Sequence, residues 1–163
     1  CRILSDYAGS TPSAFADPVK GKELALYQID KGAAVIYQAS GLTGAGVFEA
    51  GKERKVYVIG FDSNQNYLGH IAETGENFGL TSMLKQVDVA VYLTIKDLVD
   101  GKFQAGVRTF GLADTVTIGN KVYHGVDYAV DEYNKNLITR GMLDKIDEVT
   151  KKIIAGEIEV PIE

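Results

Sequence analysis

The sequence predicts a three-layer α/β/α fold on a mostly parallel sheet, and two observations predict it. Short apolar stretches recur ahead of polar loops: Ile3 to Tyr7, Ala34 to Tyr37 and Val56 to Phe61. Between them lie segments with helical start and stop signals, and apolar strands alternating with helices argue for a parallel sheet covered on both faces. If the three stretches are parallel strands, the loops AGSTPSAFADP, QASGLTGAG and DSNQ leave one edge of one sheet. Open α/β sheets bind ligands at that carboxyl edge.

Each element has its own signal. Asp17-Pro18 starts a helix, with Asp at the N-cap and Pro where its missing N–H costs nothing. GKELALYQIDK continues it to Gly32, a good residue for the position just past a helix end. Thr43 is placed to cap a second helix, GAGVFEAGKE, ending near Gly51, and the β-branched run VYVIGF follows as a strand. Asn66 to Asn77 is polar and turn-rich, without a period. FGLTSMLK reads as extended, and VDVAVYLTIKDLVDG as a helix with Val87, Val91, Ile95 and Leu98 on one stripe, stopped by Gly101. GVRTFGL is expected as a strand and TVTIG as a short extended piece; Gly125 to Asn136, rich in tyrosine, fits no single element. Thr139 opens the most amphipathic helix, with Met142, Leu143, Ile146, Val149 and Ile153 on one face.

Composition narrows the function. With 163 residues, 45% of them hydrophobic and 24% charged, the chain suits one core or one lobe of something larger. No apolar run approaches the roughly 20 residues that span a bilayer. A net charge of −5 with scattered lysines argues against nucleic acid. Cys1 is the only cysteine, which excludes an intrachain disulfide and a cysteine-rich metal site. It is expected to be a fragment boundary rather than a lipid-bearing residue, because RILSDYAG starts a strand where a lipoprotein would have a polar tether.

Catalytic and cofactor motifs fail on specific residues. Gly44-Ala45-Gly46, with Asp62 about 18 residues later, resembles a dinucleotide fingerprint, but Glu49 stands where the third glycine belongs. GVFEAGKE matches phosphate-loop spacing but lacks the terminal Ser/Thr and falls within a helix. Gln38 replaces the glycine that a nucleophile elbow around Ser40 requires. His70 and His124 are expected in solvated loops, and nothing fixes the separation of Asp6 from Asp62. No cofactor or metal site is expected.

Five residues remain as candidate ligand contacts. Asp62 follows a strand, and a carboxylate accepts two hydroxyl hydrogen bonds at once, as a sugar diol requires. Gly41 and Gly44 allow close backbone approach and would offer N–H groups to the same ring. Phe15, in the first loop, is placed to stack on a base or sugar face, and Lys85 ends an extended stretch. Together they describe a binder of a polar small molecule.

Longer strings carry a resemblance. FADPVKGKELALYQIDKGAAVIYQASGLTGAGVFEA, VYVIGFDSNQNYL and LTSMLKQVDVAVYLTIKDLVDGKF are similar, in order and approximate spacing, to the basic membrane lipoprotein family. GVRTFGL and the terminal KKIIAGEIEVP extend the likeness. The family comprises nucleoside-binding proteins of ATP-binding-cassette importers, similar to the purine nucleoside receptor of treponemes. The resemblance implies a type I periplasmic-binding-protein fold of two lobes, of which this chain is the C-terminal half. Residues 1–83 would form the second-lobe core, 84–107 would pack with the first lobe, and 108–163 would return to the second. Phe15 would stack on a purine, while Gly41, Asp62 and Lys85 would hold the ribose. The missing N-terminal lobe would complete the site, a permease would be the membrane partner, and the full-length protein would be extracytoplasmic and lipid-anchored. Two departures stand out: Asn64 replaces the aspartate common in the family's DSDQ stretch, and SGLTGAG replaces GGTGLG.

Two other readings fit the residues. One is a Rossmann-like, cofactor-dependent enzyme using the turn and acid between residues 41 and 62. The other is a regulatory or assembly domain that keeps the lobe fold. A severed lobe exposes apolar surface, which makes a homodimer plausible.

Overall fold

The computed structural model describes residues 2–161; Cys1, expected as a fragment boundary, lies outside them. In chain order the helices are α1 (Pro18–Asp30), α2 (Gly44–Arg54), α3 (Val87–Val99) and α4 (Arg140–Ile154). The strands are β1 (Val35–Tyr37), β2 (Tyr57–Gly60), β3 (Gly79–Lys85), β4 (Thr115–Ile118), β5 (Lys121–His124) and β6 (Val126–Tyr128). They form a four-stranded sheet in the order β1-β2-β3-β6 and a two-stranded sheet of β4 and β5. The chain divides into two compact units, Cys1–Leu84 with Tyr128–Ile138, and Lys85–Asp127 with Thr139–Glu163.

In the first unit β1, β2 and β3 run parallel, with Ile36 opposite Val58 and Gly60 opposite Ser82. The register slips between Val58 and Ile59, which face Gly79 and Thr81, so Leu80 of β3 is the extra residue. α1 starts where expected: the Asp17 carboxylate accepts from the Lys20 N–H at 2.9 Å, and Pro18 opens the helix. It ends at Lys31, and Gly32 turns the chain at φ +91°, a left-handed conformation that costs glycine little. α1 and α2 pack together through glycine. A Cβ on Gly46 would run into the Pro18 carbonyl, and one on Gly21 into that of Thr43. Beneath them Ala25, Ile36, Val47, Phe48, Ala50 and Val58 form the core.

Four expectations for this unit are corrected. Ile3 to Tyr7 is not a strand: Ile3 and Tyr7 are 86% and 89% exposed. The segment is tied by side chains, Arg2 donating to the Lys31 carbonyl and Gln28 to Asp6, and a cleft of about 860 Å³ along β1 takes the place of a ladder. α2 runs on to Arg54 and closes at Lys55 in the left-handed conformation, because Gly51 sits mid-helix against Val56 and Val58. The Thr43 side chain does not cap α2; it bonds elsewhere, as described below. Burial on both faces holds for one: Ile36 and Val58 are buried under the helices, whereas Val35, Tyr37 and Tyr57 on the alternate positions are exposed.

In the second unit β4 and β5 pair antiparallel through a turn at Gly119, which has φ +61°. His124 therefore lies on a strand, with Nδ1 2.6 Å from the Leu112 carbonyl, rather than in a loop. GVRTFGL is irregular chain instead of a strand. Arg108 ties it sideways to Asp97 at 2.6 Å and Asp114 at 3.2 Å, with its guanidinium over the Phe110 ring, and the Asp114 carboxylate accepts the Gly111 N–H. α3 and α4 form as expected, with Thr139 capping α4 through the Met142 N–H. The predicted stripe on α3 is exposed along its length, however, and among described residues no side chain of α4 is fully buried.

Candidate functional site

Because β1 and β2 are parallel, the loops after them, residues 38–43 and 61–66, leave the same edge of the sheet. The Phe15 loop reaches that edge by another route. The Thr43 hydroxyl, 1% exposed, donates to the Ala14 carbonyl at 2.7 Å and accepts the Asp17 N–H at 2.8 Å. One buried side chain thus fastens the first loop to the second.

That fastening brings Phe15 against Gly41. Gly41 has φ +59°, and a Cβ there would lie 3.1 Å from the Phe15 carbonyl oxygen and 3.4 Å from its Cβ. Both the conformation and the space call for glycine. The Phe15 ring is exposed and lines a cavity of about 290 Å³ with Tyr7, Tyr37, Gln38 and Ser40. This is the small end of the roughly 300–1,000 Å³ typical of small-molecule pockets. Gly41 and Asp62 lie outside that lining. Tyr37 meets Phe61 edge-on, with ring centroids 6.2 Å apart, and although the side chain is half exposed its partial desolvation raises the phenol pKa above the ordinary value.

Asp62 sits in a strained turn. Its φ is +77°, a region uncommon for any residue but glycine, and the Ser63 N–H bonds across it to the Phe61 carbonyl at 2.9 Å. A three-residue hydrogen bond across a positive-φ centre defines the rare, strained form of the γ-turn. Such strain persists only where the surroundings over-determine it, and it concentrates at functional sites.

The surroundings here are polar and well satisfied. The Gln65 side-chain oxygen accepts the Phe61 N–H at 3.1 Å and the Gln38 amide at 2.7 Å. The Gln65 N–H bonds to the buried Ser82 hydroxyl, which donates to Asn66. On the far side Asp131 accepts from the Asn64 and Asn66 side chains, at 2.6 and 3.1 Å, and from the Tyr133 and Asn134 N–H groups. Burial alone would raise the Asp131 carboxyl pKa, but the bonds from Asn64, Tyr133, Asn66 and Asn134 hold it below the ordinary range. The departure at Asn64 acquires a reason: an aspartate would set a second carboxylate against Asp131, whereas the amide donates to it.

The structure therefore joins the loops of three expected residues, Phe15, Gly41 and Asp62, within the first unit. Lys85 is the last residue of β3 and opens the second unit. Gly44 does not serve as expected. Its N–H bonds to the carbonyls of Gly41 and Leu42, and a Cβ there would strike the Gln38 amide. The glycine-rich turn is filled by protein, and Glu49 on α2 pairs with Lys52 at 2.7 Å, so no pyrophosphate cradle remains for a dinucleotide. Gln65 and Asp131 were not singled out from sequence, Thr43 was expected only as a helix cap, and Gln38 was noted only as a residue that spoils a nucleophile elbow. Polar residues directly after apolar strands were the available signal for Gln38 and Gln65. Among described residues no cluster of His, Cys, Asp and Glu is arranged for a metal.

A parallel-sheet unit thus gathers an exposed aromatic, a close-approach glycine and an aspartate on a strained turn at its carboxyl edge, the candidate site of an α/β lobe. The comparisons make this specific. The family model described as "Bmp: ABC transporter substrate-binding protein PnrA-like" matches residues 2–163, and the chain belongs to that family. It is 34% identical over 171 residues to the ABC transporter nucleoside-binding protein BmpA of Lactococcus lactis, covering 98% of this chain and 44% of that protein. It is 32% identical to basic membrane protein C of Borreliella burgdorferi, over 98% of this chain and 40% of that protein. A solved ABC transporter solute-binding protein from Aeropyrum pernix superposes with a TM-score of 0.66 at 26% identity, covering 97% of this chain and 48% of that one. The chain spans less than half the length of these relatives.

Proposed function

We propose that this chain is the second lobe of the substrate-binding component of an ABC nucleoside importer, and that it carries one wall of a purine nucleoside site. The observation that carries the reading is the strained turn at Asp62, tied to the loop that presses Gly41 against Phe15. A carboxylate on such a turn suits two vicinal hydroxyls, the exposed Phe15 ring against Gly41 suits a flat base, and the Lactococcus relative is named for nucleoside binding. Phe15 stacks on the purine; Gly41, Asp62 and Lys85 hold the ribose.

In this reading residues 1–83 form the second-lobe core, 84–107 pack with the first lobe, and 108–163 return to the second. The first lobe lies in the length of the relatives that this chain does not span, and it supplies the facing wall. The protein binds without catalysing a reaction, needs no cofactor, delivers its ligand to a permease and works outside the cytoplasm on a lipid anchor. Calorimetric titration of the two-lobed parent protein with adenosine, guanosine and inosine tests the assignment. Saturable binding of at least one is expected, and no heat from any of them sinks it.

A further inference from the structure

We infer that Gln38 and Gln65 form a positioning pair that holds the γ-turn presenting Asp62. The hydrogen bonds permit one arrangement of both side chains. The Phe61 and Ser40 N–H groups donate only, so the Gln65 and Gln38 side-chain oxygens must face them, at 3.1 and 3.0 Å. That leaves the Gln38 amide nitrogen aimed at the Gln65 oxygen, 2.7 Å away. Ser40 adds a second bond to the Gln38 oxygen through its hydroxyl, and Gln38 is 4% exposed. Room for the Gln65 amide is made by Gly60, where a Cβ would lie 2.9 Å from its oxygen.

The consequence falls on Phe61, the residue before the strained centre. Its carbonyl closes the turn with Ser63 and its N–H is held by Gln65. Both backbone groups of Phe61 are therefore fixed, and the anchor runs back through Gln38 into the loop that carries Gly41. Two loops separated by a helix and a strand share one hydrogen-bonded hinge. A shift of either is felt at the other, so the pair sets the distance between the backbone at Gly41 and the carboxylate at Asp62.

The inference rests on the nucleoside reading, but part of its test does not. Gln65→Met removes the acceptor while keeping the side-chain length, and Gln65→Glu keeps an acceptor oxygen. Amide hydrogen exchange at Phe61 and Ser63 is expected to speed up about tenfold in Gln65→Met and in Gln38→Met, and to stay near wild type in Gln65→Glu. Unchanged exchange in both methionine variants overturns the positioning role, whether or not a nucleoside binds. In the two-lobed protein, the ratio of adenosine to adenine affinity is expected to fall about tenfold in Gln65→Met and to recover in Gln65→Glu. Equal loss for adenosine and adenine would mark a general packing defect and also overturn it. Wild-type protein that binds no nucleoside defeats the proposed function alone, leaving the exchange result to judge the pair.

Discussion

The two compact units treat amphipathic sequence in opposite ways. In the first, α1 and α2 lay small and apolar residues on β1 and β2, and Phe48, Ala50 and Val58 are almost wholly buried. In the second, α3 and α4 carry apolar stripes of comparable length, yet Val89 and Val116 are the buried hydrophobics among its described residues. Val87, Val91, Ile95 and Leu98 stay at least half exposed. An amphipathic pattern states that a face is meant to be covered, not that its cover lies in the same chain. The apolar faces of α1 and α2 find their cover within the first unit, and under the proposed function the family's other lobe would cover the second.

Substitutions can break this contrast, and the largest effect belongs to the first core. Phe48→Ala is expected to cost about 3–5 kcal/mol of unfolding free energy by urea titration, because the ring is buried on every side. A cost below 1 kcal/mol would mean the first unit is no better packed than the second. Gly46→Ala comes next, at about 1–3 kcal/mol, since the new methyl meets the Pro18 carbonyl and the helices must separate.

A smaller effect is expected from pH. The Asp131 carboxyl is held below its ordinary value in the folded protein. Its contribution is therefore complete above the unfolded pKa and is lost as pH falls through the folded one. Melting temperature should drop on acidification below about pH 4, more steeply in wild type than in Asp131→Asn. Parallel curves would exclude Asp131 from the acid response. The smallest effect is at the other pole of the comparison. Leu98→Ala on α3 should change the stability of this chain by no more than about 0.5 kcal/mol. In the two-lobed protein of the proposed function it should cost more, and an equal effect in both would show that the stripe has no cover there.

What the sequence revealed follows the same line between local and distant interactions. The start of α1 at Asp17-Pro18, its stop at Gly32 and the cap of α4 at Thr139 were legible because each is decided within a few residues. Ile3 to Tyr7 and GVRTFGL were misread as strands because a strand needs a partner, and no residue in those segments states whether one is present. Gly44 and Gly46 invited a ligand reading, but their missing Cβ atoms make room for Gln38 and for Pro18, contacts set by helix packing. The candidate carboxylate was visible as an acid after a strand. Its positive φ, and the glutamine pair that holds it, depend on bonds between loops 27 residues apart. Polarity alone could not announce them.

Under the proposed function, the turn at Asp62 spends backbone strain on presenting a carboxylate to a ribose. Asp62→Gly separates the two parts, because glycine accepts φ +77° without strain and lacks the carboxylate. Calorimetry of the two-lobed protein with adenosine and with adenine, beside thermal unfolding, reads both. Unchanged or higher thermal stability is expected, with adenosine affinity reduced about 10- to 100-fold and adenine affinity unaltered. Wild-type adenosine affinity in Asp62→Gly would contradict that role.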